Sequence, residues 1–131
     1  MEDNFKLQII SPEKILFSES VKMVTVPSFE GDMSILKNHI SIISFLRPGR
    51  VKIKKNDEGL EEFFLEDGTI EFNKDNLVIL SSSVMNLKNI SKEFLDNALK
   101  TTQDTLNNQN ITDHDSYILN HKLDALKEVK I

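Results

Sequence analysis

Cysteine is absent from this 131-residue chain. Disulfides, thiolate zinc sites and cysteine nucleophiles are thereby excluded, and the fold must be held by packing alone. Glycine is scarce and scattered, at Gly31, Gly49, Gly59 and Gly68. Neither of the glycine-rich loops that cradle phosphate, G-x-x-x-x-G-K or G-x-G-x-x-G, can be built from it. Nor does any apolar run approach the roughly 18 residues needed to cross a bilayer. Met1 to Asn4 carry acid instead of the basic region that opens a leader peptide, so the sequence reads as a soluble, untargeted chain without direct membrane insertion. Positive charge is outweighed, with 16 Lys and Arg against 21 Asp and Glu and a formal net charge of −5. Bulk electrostatics therefore argue against nucleic acid as a partner.

What is present begins as short strands. Phe5, Leu7 and Ile9 alternate with Lys6 and Gln8 until Ser11-Pro12, the period of a half-buried strand. Leu16-Phe17 lies in a second short piece. Val21 to Val26 is rich in β-branched residues, and Pro27, with no N–H to donate, is expected to end its ladder. A loop over Phe29 to Ser34 is expected next, followed by a buried strand through Ile40, Ile42 and Ile43. Pro48-Gly49 turns the chain into Arg50 to Lys55, Asn56 to Gly59 reads as a hairpin loop, and Phe63 to Leu65 answers it. Asp67-Gly68 and Lys74-Asp75-Asn76 mark two further turns, and Leu77 to Leu80 reads as a strand buried on both faces. The basic strip Arg47, Arg50, Lys52, Lys54 and Lys55 reads as the solvated face of a strand with Val51 and Ile53 inward, the alternative being contact with an acidic partner. So many short strands between turns predict a sandwich or barrel.

Near residue 88 the apolar period changes from two to about 3.6. This divides the chain into residues 1–87 and 88–131. Ser91 reads as an N-cap, Ile90 and Leu95 as a hydrophobic staple, and Leu95, Ala98, Leu99, Thr102 and Leu106 as one helix face. Beyond the polar stretch Asn107 to Asn110, Thr112 with Asp115 has capping-box spacing, and Ile118, Leu119, Leu123, Ala125, Leu126 and Val129 give a second apolar side. Two helices joined by a polar turn make an αα-hairpin. Weak helix formers such as Thr101, Thr102 and Thr105, and so short a segment, cannot bury enough surface to fold alone. The hairpin needs a second surface, either the β domain or a partner, and both permanent docking and a switch between docks are compatible with its sequence.

Chemistry has few footholds. His39, His114 and His121 lack a ligand spacing and read as surface histidines, so no metal site is expected. Ser81-Ser82-Ser83 lacks the G-x-S-x-G elbow, and Glu61-Glu62 and Glu66-Asp67 read as solvated charges protecting strand edges. The residues alone describe an interaction subunit more than a catalyst. A stand-alone β-sandwich binding module is the alternative.

The segment Val26-Pro27-Ser28-Phe29-Glu30-Gly31-Asp32-Met33-Ser34-Ile35-Leu36-Lys37-Asn38-His39, closed by Leu46-Arg47-Pro48-Gly49, resembles a hallmark of the ε subunits of F-type ATP synthases. In those, a strand ending in Val-Pro or Leu-Pro is followed by Glu-Gly, an Ile-Leu pair, a His and a Leu-x-Pro-Gly turn. Phe5-x-Leu7, Ser11-Pro12-Glu13, Leu16-Phe17, Phe64 to Gly68, Glu71, Asn76 and Leu77 to Leu80 fall in the same order, so the resemblance spans essentially the whole chain. Ser34 stands where the family usually has Gly, Lys37-Asn38 where it has Pro-Gly, and Ile40-Ser41 where it often has Ala-Pro. Neither glycine's freedom at positive φ nor proline's fixed φ is encoded there.

The resemblance implies an α+β fold, a sandwich of about ten strands followed by an antiparallel two-helix hairpin. It also implies a non-catalytic rotor subunit of a proton-translocating ATP synthase, coupling ion flow through the c-ring to ATP synthesis. Its partners would be the γ subunit, the c-ring and, through the hairpin, the α and β subunits. Its place would be peripheral, on the cytoplasmic side of a bacterial inner membrane. By position in the motif, Phe29, Glu30, Gly31 and Asp32 would face the c-ring, and Ser11, His39, Ile42 and Ser44 the γ subunit. Some ε subunits hold ATP through an Ile/Leu-Asp-x-x-Arg-Ala motif. The matching stretch here, Ile90 to Leu95, has neither the Asp nor the Arg, so no cofactor is expected.

Overall fold

The computed structural model describes residues 3–56, 58–108 and 110–129. Among these, ten strands come first: β1 Phe5–Ile10, β2 Ile15–Val21, β3 Met23–Ser28, β4 Gly31–Leu36, β5 Ile42–Leu46, β6 Gly49–Lys54, β7 Leu60–Leu65, β8 Gly68–Asn73, β9 Asn76–Leu80 and β10 Val84–Asn86. A short 3-10 turn, Leu87–Asn89, leads to helices α1 Lys92–Leu106 and α2 Asp113–Lys127. The strands form one curled sheet in the order β10-β7-β6-β3-β5-β8-β9-β1-β2, with β4 on the free side of β3. Its neighbours are antiparallel except β1 and β9. Between β3 and β5 the ladder shrinks to one pair, Ser28 with Leu46, and there the sheet folds over into two layers.

The layers close on a core built by alternation. Phe5, Leu7 and Ile9 of β1, Val24 and Val26 of β3, Val51 and Ile53 of β6, Ile70 and Phe72 of β8, and Leu77 and Ile79 of β9 all belong to it. Phe17 of β2 meets Phe63 of β7 edge-on across the two layers, ring centres 6.0 Å apart, a geometry aromatic quadrupoles favour. Burying each such side chain stabilises the fold by roughly 1.5–3 kcal/mol. At the corner Gly49 lies against Pro27, and a Cβ there would stand 2.6 Å from the proline Cβ. Only glycine lets the strands approach so closely.

Several expectations change. The expected loop Phe29 to Ser34 is mostly strand: Gly31 at φ 130° reverses the chain after a two-residue turn, and β4 then pairs along all of β3. Pro27 consequently does not end its strand, although the ladder to β6 stops at Thr25. Ile40 and Ile43 are not buried but 77% and 73% exposed: Ile40 lies before β5 begins, and Ile43 points out because a strand covered on one face can turn only every second residue inward. Leu77 to Leu80 is likewise buried on one face only, with Leu80 half exposed. The strand covered on both faces is β7, where Phe63 enters the sandwich core and Phe64 faces the helices. Asn38 does adopt a positive φ, 68°, which asparagine tolerates better than most residues. Its N–H is held by the Asp75 carboxylate at 2.8 Å.

The helical hairpin starts as its caps prescribe. Ser91 Oγ accepts the Phe94 N–H, and Thr112 Oγ1 accepts the Asp115 N–H. Its second surface is the β domain itself: Phe64, Ile90, Leu95, Ala125, Leu126 and Val129 form a separate apolar cluster. The two cores should fail separately. Leu7→Ala, by opening the sandwich core, should cost about 2–5 kcal/mol of global stability. Leu126→Ala should instead strip hydrogen-exchange protection from α2 while β1 amides keep theirs. Loss of protection in both regions with Leu126→Ala would show a single cooperative unit.

Candidate functional site

The covered faces of β5, β8, β9 and β1 leave an outer face whose residues stand in two rows. Phe45 aligns with Thr69, Thr69 with Leu80 and Leu80 with Ile10, and the next row runs Ile43, Glu71, Val78 and Gln8. Phe45 is 66% exposed and Leu80 49%. The rows are mixed, with Thr69, Glu71 and Gln8 set between the apolar positions, and they leave large apolar side chains exposed on a rigid sheet. At its end lies the β3–β4 tip, tied to it by a bond from the Phe29 N–H to the Phe45 carbonyl at 3.2 Å. Sheet, tip and α2 enclose an open groove of about 930 Å³, lined by Ile10, Ser11, Phe29, Phe45, Leu80 and Ile118 among others.

The residues expected to meet the c-ring stand together at this tip. Phe29 and Glu30 are its two turn residues, and Ser28 Oγ closes it on the Gly31 carbonyl at 2.6 Å. An added Cβ on Gly31 would meet nothing within 4 Å, so the backbone is bare. Asp32 is held by the Arg47 guanidinium at 3.4 Å, and Phe29 stacks on Tyr117 of α2 at 6.0 Å.

The residues expected to meet γ are spread along β5 and the ends of the outer face. Ser11 lies in the groove, its hydroxyl on the Lys14 carbonyl. His39 sits past the other end, its Nδ1 2.7 Å from the Ile40 carbonyl and its ring edge-on to Phe72. Ile42 packs against the sandwich core, and Ser44, two residues on, shares its side of the strand. Ile43 and Phe45 take the outward positions instead. The composition of β5 gave no way to choose, since apolar residues occupy both of its faces.

The basic strip is the solvated strand face expected, with Val51 and Ile53 inward and Lys52 and Lys54 exposed, and its remaining members pair within the chain, Arg47 with Asp32. Arg50 pairs with Glu62 and Glu128, and Lys55 with Glu19 and Glu61. Glu66 pairs with Lys122 of α2, while Asp67 accepts the hydroxyls of Ser81, Ser82 and Ser83, which explains the serine run as turn structure. Sequence reading missed Arg47 and His121. Arg47 donates to the Ser28 carbonyl at 2.7 Å, to Asp32, and through Nε to His121 Nδ1 at 3.2 Å. His121 is therefore no free surface histidine: burial first and the Arg47 charge second push its pKa below the ordinary value. Its spacing from Tyr117, one helical turn, was the available signal.

A sandwich with an apolar outer face, a polar tip and helices latched to both defines a binding subunit, with no nucleophile and base brought together among the residues described above. Residues 4–87 match the β-sandwich domain of the ATP synthase delta/epsilon chain, and the chain belongs to that family, whose members are non-catalytic subunits of the synthase. It is 44% identical over 128 residues to the ATP synthase epsilon chain of Pelagibacter ubique, covering 97% of this chain and 98% of that one. It is 30% identical over 131 residues to that of Parvibaculum lavamentivorans, covering 99% and 98%. Among solved structures, a chain of the Euglena gracilis mitochondrial ATP synthase (OSCP/F1/c-ring) superposes with a TM-score of 0.78 at 19% identity, over 95% of this chain and 79% of that one. A chain of the Tetrahymena thermophila mitochondrial ATP synthase central stalk/c-ring gives 0.63 at 14%, over 94% and 93%.

The two faces of β5 are separable by substitution. Ile42→Asp should cost several kcal/mol in urea unfolding, by placing an unpaired carboxylate against the core. Phe45→Asp should stay within about 0.5 kcal/mol of the parent. Equal losses would mean that both positions are packed.

Proposed function

We propose that this chain is a central-stalk rotor subunit of a proton-translocating ATP synthase, bound to γ through its outer sheet face and to the c-ring through the β3–β4 tip. The observation that carries this reading is that the exposed apolar residues Ile43, Phe45 and Leu80 share one sheet face, interspersed with Thr69 and Glu71, and that Phe45 is bonded directly to the tip residue Phe29. A joint that transmits torque must not slip, which favours a broad, well-packed interface on a stiff support over one strong bond. The sheet offers that support and its outer side chains the contact. In this reading Ile43 and Phe45 take the γ contacts beside Ser11 and His39, while Ile42 and Ser44 act from beneath by holding β5 in place. At the tip, the bare backbone of Gly31 admits close approach, and Glu30 and Asp32 suit basic groups on the c-ring loops. The protein would then be peripheral to a bacterial inner membrane, on its cytoplasmic side. No described helix is long and apolar enough to cross a membrane.

Residues 1–87 form the assembling unit in this proposal and residues 88–131 the regulatory one. Lys122, Lys127 and Lys130 are offset by Asp115, Asp124 and Glu128, so a hairpin that reached the α and β subunits would inhibit ATP hydrolysis only weakly.

Two measurements bear on the placement. Phe45→Asp, stable by the preceding test, should abolish co-purification with γ. Glu30→Lys should lower ATP-driven proton pumping severalfold at unchanged ATPase activity. Normal pumping in a complex carrying Glu30→Lys would remove the tip from the c-ring contact. Truncation after residue 87 should leave a folded, γ-binding domain with ATPase activity within about twofold of the full-length complex; failure to assemble would make the hairpin structural.

A further inference from the structure

We propose that His121 makes the docking of the helical hairpin pH-sensitive: the neutral ring latches α2 to the β3–β4 tip, and its protonation releases that end of the helix.

The latch is anchored on a side chain with no freedom to turn away. Arg47 has its backbone N–H on the Pro27 carbonyl at 2.9 Å, Nη1 on the Ser28 carbonyl at 2.7 Å and Nη2 on Asp32. Its Nε is left pointing at His121 Nδ1, 3.2 Å away. A guanidinium has only donors and does not give up its proton in proteins. The bond therefore exists only while Nδ1 keeps its lone pair, with the ring proton on Nε2. Protonating Nδ1 sets donor against donor and cation against cation at that distance.

The consequence reaches past one hydrogen bond. His121 packs edge-on to Tyr117 at 4.5 Å, Tyr117 stacks on Phe29, and the Tyr117 hydroxyl donates to the Phe29 carbonyl at 3.2 Å. Arg47, His121, Tyr117 and Phe29 thus form one chain of contacts from the sheet corner through α2 to the tip. Lys122 adds a pair to Glu66. The apolar anchors Ala125, Leu126 and Val129 lie farther along, so the end nearer Tyr117 loosens first.

Several other charges face this crevice: Asp32 from β4, Arg50 and Lys52 from β6, Asp124 from α2 itself and Glu128 at its C-cap. Asp124 favours the protonated ring, but burial and Arg47 outweigh it, and the docked pKa is below the ordinary 6.5. Linkage then fixes the sign. The His121 contribution to docking is fully present above about 6.5, the free-histidine value, and is lost as pH falls through the docked pKa. Release would bare Phe29 to a tip partner, a consequence that rests on the proposed c-ring contact; the latch itself does not.

The chain reports on its own latch, since Tyr117 is its single tyrosine and tryptophan is absent. With the full chain in isolation, acrylamide quenching of tyrosine fluorescence and the ring resonances of labelled Tyr117 are followed from pH 7.5 to 5.0. The wild type should show at least a twofold rise in quenching with a midpoint below 6.5, with the β1–β9 amide spectrum unchanged. His121→Gln, which keeps an acceptor but cannot titrate, should stay closed throughout. His121→Lys should be open at pH 7.5 and His121→Met, uncharged, largely closed. An unchanged wild type, or His121→Gln opening with the same midpoint, overturns the proposal. Because no partner is present, either result leaves the rotor assignment standing.

Discussion

The corner where β3 hands over to β5 governs the rest of the molecule. A single residue pair, Ser28 with Leu46, carries the sheet around it, and so sparse a ladder would splay without reinforcement. Gly49 supplies part of this by allowing contact with Pro27, and Arg47 supplies the rest: its backbone N–H makes one of the two ladder bonds of that pair, to the Pro27 carbonyl, and its guanidinium adds a bond to the Ser28 carbonyl. Unmet backbone acceptors at a buried bend would each cost about 1–3 kcal/mol. Because the same guanidinium reaches Asp32 and His121, the geometry of the corner also sets the aim of the tip and the seat of α2.

Two consequences of that corner are opposite in kind. The layers it creates share a core of many fully buried side chains, so the β domain resists deformation. The hairpin rests on a smaller apolar cluster supplemented by polar contacts that are largely solvent-accessible, and exposed ion pairs contribute little, typically under about 1 kcal/mol each. Local opening free energies within one protein range from near zero to the global value. The hairpin falls toward the low end and the sandwich toward the high end, a division that suits a rigid joint carrying a conditional element.

Much of this was legible in the sequence, for identifiable reasons. Period-two alternation placed Leu7, Ile9, Val51 and Ile53 inward, the change of period placed the helices, and Ser91 and Thr112 cap as their spacing requires. Legibility failed where local patterns are two-sided. Ile42-Ile43-Ser44-Phe45 presents apolar residues to both faces, and nothing short of the tertiary fold decides which face is wet. Phe29 to Ser34 reads as a loop, yet period two resumes at Met33 and Ile35 and makes β4 a strand. The contacts of Arg47 with Ser28 and His121 were illegible because they join residues far apart in sequence.

The outer face of β5 shows why its exposed side chains are informative where the inner ones are not. Ile42 and Leu46 are explained by the stability of the sandwich and would be apolar whatever the protein did. Ile43 and Phe45 receive no such explanation: left in water they gain nothing for the fold, and on an open sheet they invite association. Solvent-facing strand positions ordinarily carry polar residues, as Lys52 and Lys54 do on β6. The contrast between the outward residues of two strands in the same sheet therefore distinguishes an outer face that carries exposed apolar side chains from one that carries lysines, and it does so from side-chain chemistry independently of any relative.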